Sequence, residues 1–259
     1  MRSTRNGALE VHILASSSDA NCTVLASDDA AIMIDAGLSI RKTEHFLNTV
    51  GVDIFDINAL LLTHEHVDHS RSALRISRRC NIPIAGNYRT LLSTGIHGMD
   101  KTVVFENREP FYIGMMKIEA IPTSHNAAEP VAYHVEANNK DMVIATDLGK
   151  VTKPVLSAMT NADFIMLESN HDRNMLLSGP YPLFLKRMIM SEKGHLSNHD
   201  CAQALKTIDV KKRKIFLAHL SQINNTPEIA KNTVSNALRC NHYIDCIETP
   251  GEIRSIIVD

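Results

Sequence analysis

Short apolar runs separated by turn residues dominate the first third of the chain. Val11–Ala15, Thr23–Ala26 and Ala31–Ile34 are three such runs, the last ending at Asp35-Ala36-Gly37, and they predict consecutive strands. The spacing of Ile40, Phe46, Leu47 and Val50 predicts a helix over Ile40–Val50, and Ala59–Leu62 returns to the pattern of a buried strand. Helices are expected at Leu74–Cys80 and Arg89–Leu92. Strands are expected at Val103–Phe105, Phe111–Ile113, Met116–Ile121, Val131–Glu136 and Met142–Ala145, with Asn138-Asn139 turning a hairpin between the last two.

The second half alternates. A helix at Lys153–Met159 and a strand at Phe164–Leu167 precede helices after Pro182, Asn198 and Pro227. Strands follow at Ile215–Ala218, Tyr243–Glu248 and Ile253–Val258. Several strands succeed one another without an intervening helix, so the pattern suits an α/β αββα sandwich, two mixed sheets flanked by helices, better than a continuous βαβ wheel. Residues 1–259 read as one domain with a flexible start over 1–7, for no repeat, linker or low-complexity segment interrupts them.

Composition narrows the setting. A chain of 259 residues, 44% hydrophobic and 22% charged, can bury its own core. Its five cysteines form no C-x-x-C pair, which points away from a disulfide framework or zinc ribbon and toward a reducing cytoplasm. No run suits a signal peptide and none approaches about 18 apolar residues, so no membrane association is expected. A net charge of -2 supplies no global attraction for nucleic acid, and any polyanion must meet a local patch. The local candidates are Arg75, Arg78 and Arg79, then Lys186 and Arg187, then the run from Lys211 to Lys214, although such runs are more often solvated faces.

Histidine is the compositional excess, at thirteen residues. His64, His66, Asp68 and His69 stand in an H-x-H-x-D-H cluster directly after the strand Leu60-Leu61-Leu62. On an extended or tightly turned segment, His64 and His66 point to one side while Asp68 and His69 supply a second centre. Imidazole with carboxylate suits zinc, manganese or iron. His125, Asp147 and His219 each follow an apolar run as well. Taken singly each is more often an ordinary strand-end residue, but with the cluster they complete two coordination shells.

This ordered set resembles the metallo-β-lactamase superfamily. The resemblance implies one metal on His64, His66 and His125, a second on Asp68, His69 and His219, and Asp147 bridging them. A YycJ/WalJ-like branch is similar in more detail, through Ile34–Ser39, Ser124–Val131, Ala145–Gly149, Glu168–Asp172, Gly194–Asn198 and Leu217–Ser221. It departs from that branch at Ser17 and Ala20, and near Ser72, where glycine is usual, and at Asn126, where aspartate is common. Those changes reshape loops and remove no ligand.

The branch implies a phosphodiesterase of the nuclease type, an exonuclease degrading DNA from a 5′ end, with two divalent cations acidifying a bridging water. Asp68 then doubles as ligand and holder of the attacking hydroxide. His195 protonates a leaving oxygen or binds phosphate, with Ser197 and Asn198 beside it at the substrate. The blander reading of 195–198 is a helix N-cap. Asp35 and Glu168, and with them His171 and Asp172, either orient ligand loops or are satisfied strand-end groups. His12, His45, His97, His134, His199 and His242 carry no partner pattern. Competing functions are hydrolysis of a small ester, thioester or β-lactam, a small RNA phosphodiesterase, and a metal-binding protein without turnover. The chain has no room for the insertion that clamps RNA in larger β-CASP nucleases.

Overall fold

The computed structural model describes residues 8–208, 213–239 and 243–259. The expected flexible start at 1–7, the Lys211-Lys212 part of the basic run, Cys240 and His242 lie outside these residues.

Two sheets carry the fold. The first holds β1 (Leu9–Ser16), β2 (Asn21–Ala26), β3 (Ala31–Ile34), β4 (Ala59–Leu61), β5 (Ile84–Gly86), β6 (Thr102–Val104) and β14 (Arg254–Val258), in the order β14-β1-β2-β3-β4-β5-β6. The second holds β7 (Phe111–Ile113), β8 (Met116–Pro122), β9 (Val131–Ala137), β10 (Lys140–Ala145), β11 (Phe164–Glu168), β12 (Lys214–Ala218) and β13 (Tyr243–Asp245), in the order β13-β12-β11-β10-β9-β8-β7. Each sheet is antiparallel on one side and parallel on the other: β3 to β6 run parallel in the first, β10 to β13 in the second. Parallel neighbours end on the same edge, which gathers the loops after β3, β4, β10, β11 and β12.

Burial explains the sequence pattern. Every residue of β2, β3, β11 and β12 except Lys214 is buried, because these strands are covered on both faces. Between the sheets Ile13, Leu25, Ile32 and Leu61 meet Ile118, Tyr133, Ile144 and Phe216. The buried Tyr133 hydroxyl donates to Leu62 O at 2.6 Å and ties the second sheet to the strand end that carries the histidine cluster.

Outside the first sheet, Leu47 of α1 (Ile40–Val50), Ala73 and Ile76 of α3 (Ala73–Cys80) and Leu91 of α4 (Tyr88–Ser93) pack on Val24, Met33 and Leu60. Outside the second, α5 (Lys153–Met159), α8 (Asn198–Lys206) and α9 (Pro227–Leu238) cover Val143, Ile165 and Leu217. The αββα sandwich with mixed sheets is the expected architecture. Local chemistry sets the helix ends: Ser39 caps α1 by accepting from Lys42 N, and Gly51 closes it with φ 79°.

Several short elements escape the sequence pattern. β5 is only Ile84-Ala85-Gly86, too short for a period to register. The helix α6 (Arg173–Ser178) is one and a half turns started by the Asp172 cap. The segment after β4, expected as extended or tightly turned, takes the turned form and contains a short helix, α2 (Val67–Ser70), with His66 at its N-cap. Among the described residues no helix is long and apolar enough to cross a membrane.

Candidate metal centre

Asp35, Asp147 and His219 have φ of 61°, 55° and 56°, a left-handed conformation that costs a non-glycine residue energy. All three follow parallel strands at the gathered edge, where the chain must turn sharply to present a side chain inward. Strain at such positions persists only where the surroundings enforce it.

The side chains meet in two groups. His64, His66 and His125 form one, and Asp68, His69 and His219 form the other, each with donor atoms within 4.8 Å of one another. Asp147 shares a group with His64 and His69, and a further one with Glu168, His195 and His219. Its Oδ2 lies 3.0 Å from His69 Nε2, and its Oδ1 3.5 Å from His219 Nε2 and 3.7 Å from His125 Nε2. The structure thus brings together all seven residues singled out as ligands, with Asp147 between the triads.

Each imidazole is oriented from behind. His69 Nδ1 donates to Asp35 Oδ2 at 2.7 Å, and His125 Nδ1 donates to Gly194 O at 2.9 Å. His64 Nδ1 donates to Thr63 Oγ1 at 3.0 Å, and that hydroxyl donates to Asp35 Oδ2 at 2.8 Å. His66 is reversed: its Nε2 donates to Asn126 O at 3.2 Å, which leaves Nδ1 for the centre. His219 Nδ1 lies 3.2 Å from Glu168 Oε1. Fixing one ring nitrogen as donor turns the other toward the centre, where a cation can take its lone pair or replace its proton.

Three of the inward-facing atoms, His64 Nε2, His219 Nε2 and Asp147 Oδ2, are buried and make no hydrogen bond, although Asp147 Oδ2 is close to His69. Buried polar atoms are rarely left so, and a divalent cation satisfies nitrogen and oxygen lone pairs together. The donor set therefore fits divalent metal ions. Burial pushes the His64 pKa well down, with His69 adding to the effect, so its lone pair is available at neutral pH. Burial opposes ionisation of Asp147, but the imidazoles of His219 and His69 override it and hold the carboxyl well below its usual range. A second His/Glu/Asp group, His134, Glu136 and Asp141, is half-buried and already internally paired: His134 Nε2 donates to Asp141 at 2.8 Å and Lys117 to Glu136 at 2.7 Å.

His195 stands outside the triads but against them. Its Nδ1 donates to Glu168 Oε1 at 2.7 Å and lies 3.6 Å from Asp147 Oδ1. Burial alone lowers its pKa, and the Glu168 carboxylate more than offsets this and raises it. Glu168 is the hub on this side, since its other oxygen accepts from Leu148 N at 2.8 Å. Asp35 and Glu168 are thus orienting groups, whereas Asp172 is the α6 cap.

Ser197 and Asn198, expected beside the substrate, are only 2% and 1% exposed. Ser197 Oγ caps α8, accepting from Asp200 N at 3.2 Å, and Asn198 is held by Ser169 and Asn225. These side chains serve the loop that presents His195.

Sequence reasoning missed Asn21. Its Nδ2 donates to Asp68 Oδ2 at 3.2 Å and to Ser17 O at 2.9 Å, so the first turn of the sandwich positions the Asp68 carboxylate. The only sequence signal was an amide at the start of a wholly buried strand.

His171, which the sequence left undecided, is buried at 2% exposure with Nδ1 unpartnered, and burial pushes its pKa down to about 4. Unfolded, the imidazole titrates at about 6.5. The unfolded chain therefore binds the extra proton as pH falls from about 6.5 to 4, and stability should decline by at most about 1.4 kcal/mol per pH unit from this group. Urea unfolding at pH 7, 6 and 5 should show a shallower decline in His171→Gln; an equal slope would exclude the effect.

Comparison with known proteins agrees with the geometry. Residues 31–220 match the beta-lactamase superfamily domain. The chain is 34% identical over 235 residues to exodeoxyribonuclease YycJ of Bacillus anthracis, covering 89% of each chain. It is 34% identical over 233 residues to exodeoxyribonuclease WalJ of Streptococcus pneumoniae, covering 87% of each. The metallo-beta-lactamase fold protein YhfI from Bacillus subtilis superposes with a TM-score of 0.76 at 14% identity, over 96% of this chain and 100% of that one. The shared sandwich, the full-length relatives and the domain match together make this chain a member of the beta-lactamase superfamily.

Proposed function

We propose that the chain is a metal-dependent phosphodiesterase acting on nucleic acid, a cytoplasmic exodeoxyribonuclease that degrades DNA from a 5′ end. The observation that carries this reading is the pair of donor triads in a chain similar over nearly its whole length to two exodeoxyribonucleases. His64, His66 and His125 would hold one cation and Asp68, His69 and His219 the other, with Asp147 within reach of both. Zinc or manganese suits these donors, with iron as a further candidate.

When bound, the cations supply a water acidified toward neutral pH and stabilise charge on the phosphate. The chain supplies the rest. Asp68 would give the second cation its Oδ2, which lies beside His69 and His219 and is steadied by Asn21, and would turn its other oxygen to the attacking water to accept a proton. The water would pass one proton to Asp68 as its oxygen bonds to phosphorus, the bond to the leaving oxygen would break, and His195 Nε2 would give that oxygen its proton. Glu168 holds the imidazole in place for the transfer, and Ser197 and Asn198 hold the loop that carries it.

Metal analysis of the purified protein should be followed by assays on 5′-labelled duplex DNA, single-stranded DNA, RNA, a chromogenic phosphodiester and a chromogenic cephalosporin. DNA should be degraded, and Asp68→Ala should lower the rate on the order of 100-fold or more. Turnover of the cephalosporin alone would overturn the nucleic-acid reading.

A further inference from the structure

Beside the centre lies a helix with almost no tertiary cover. In α7 (Leu183–Ile189) only Ile189 is buried, while Leu183, Phe184 and Met188 are exposed, together with Met190 after it and Leu177 before it. Phe184 is 72% exposed. Apolar side chains gathered in this way mark an interaction surface on a globular protein.

The charge of the segment is one-sided. From Arg173 to Ser191 the sequence carries Arg173, Lys186 and Arg187 and no acidic residue. Arg173 is paired with Asp200, and the Lys186 ammonium donates to Leu177 O at 2.6 Å. No ion pair engages Lys186 or Arg187 among the described residues.

The C-terminal end of this helix is joined to the loops of the candidate active site. His195 N donates to Ile189 O at 2.9 Å, and a Cβ on Gly194 would lie 2.2 Å from the carbonyl oxygens of both Ile189 and Met188. The next turn packs as closely on the ligand loops: a Cβ on Gly149 would lie 2.3 Å from the Glu192 backbone, and Ser124 Oγ donates to Glu192 O. The end of α7 is therefore fixed against the loops bearing His125, Asp147 and His195. At 1.5 Å per residue, Phe184 stands about 8 Å along the helix from Ile189, the span of one or two nucleotides.

We infer that α7 is a docking platform for the end of a single-stranded nucleic acid, whose terminal bases stack on Phe184 and the neighbouring apolar side chains while Lys186 and Arg187 meet its phosphates. An unstacked base needs an apolar or aromatic face and its backbone needs cations, and α7 offers both without an acidic group. A blunt duplex keeps its bases stacked on one another and gains little from this surface. The inference rests on the phosphodiesterase reading and names the form of its substrate.

The test compares metal-loaded wild type, Phe184→Ser and Phe184→Tyr on a labelled dT octanucleotide and on methyl p-nitrophenyl phosphate, a diester too short to reach α7. The ratio of the two kcat/KM values should fall about 5- to 150-fold in Phe184→Ser and be retained in Phe184→Tyr. Arg187→Gln should lower the slope of log affinity against log salt by about 0.7. Phe184 is a surface residue, so folding should be unaffected, as circular dichroism will check. An unchanged ratio in Phe184→Ser overturns the proposal. So does a wild-type dimer in sedimentation that the serine variant separates while the ratio stays constant, for the patch then belongs to a second copy. If wild type cleaves neither compound, the phosphodiesterase reading has failed. Fluorescence anisotropy of the labelled octanucleotide then decides the platform alone, equal binding by wild type and Phe184→Ser ruling it out.

Discussion

Gly37→Ala is expected to lose about 3–5 kcal/mol of stability, or roughly 10 °C in melting temperature, along with most of the protein's metal affinity. A Cβ there would sit 1.7 Å from Asp68 O, 2.6 Å from Asp68 C and 2.8 Å from Asn21 N. All three are backbone atoms, so no side-chain rotation relieves the overlap. The neighbourhood is also tightly bonded: Gly37 N donates to Asn21 O at 2.9 Å, Ala36 N to His69 O at 2.6 Å and Ser72 N to Ala36 O at 2.9 Å. Any shift that accommodates the methyl group moves Asp68 and His69 or the Asn21 amide. Thermal melts and metal content of the variant measure both effects; wild-type values for the two would show that the loop can retreat freely.

The second large effect concerns the cations. Adding zinc or manganese to chelator-treated protein should raise the melting temperature by about 10 °C, since a ligand at about 1,000 times its Kd contributes about 4 kcal/mol. Uptake should release protons, because the carboxylates around His69 and His219 hold both imidazoles protonated in the free protein. Burial opposes protonation of His219, yet the Asp147 and Asp68 carboxylates carry its pKa up to about 10. A cation displaces that proton, so affinity should weaken as pH falls. Asp147→Asn keeps the shape and removes the shared charge, and most of the metal-induced shift should vanish. Thermal melts give the shift, and calorimetric titration with proton counting gives the affinity and the protons released. Wild type indifferent to both metals, or an asparagine variant binding two ions undiminished, would refute the assignment of ligands.

What the sequence disclosed follows from how local each signal is. His64, His66, Asp68 and His69 are contiguous, so their meaning was visible without the fold. His125, Asp147 and His219 were visible as polar residues ending apolar runs, a context the parallel strands explain. The α2 turn was one of two forms left open, because histidines at alternate positions suit a strand as well as a tight turn. Asn21 was concealed because its partner Asp68 lies 47 residues away, whereas Glu168 was legible as a strand-end carboxylate and only its partner His195, 27 residues on, was not. Ser197 and Asn198 show the opposite case: the capping pattern was legible, but whether such groups face substrate depends on burial, which no periodicity reports for a loop.

Both triads draw on both sheets. His64 and His66 follow β4 while His125 follows β8, and Asp68 and His69 meet His219 from β12. Neither sheet owns a complete chelate, so a cation can be gripped with full strength only after the two sheets have closed on each other. Metal capture during refolding would then serve as a clock for that closure, lagging behind the appearance of strand structure in either sheet.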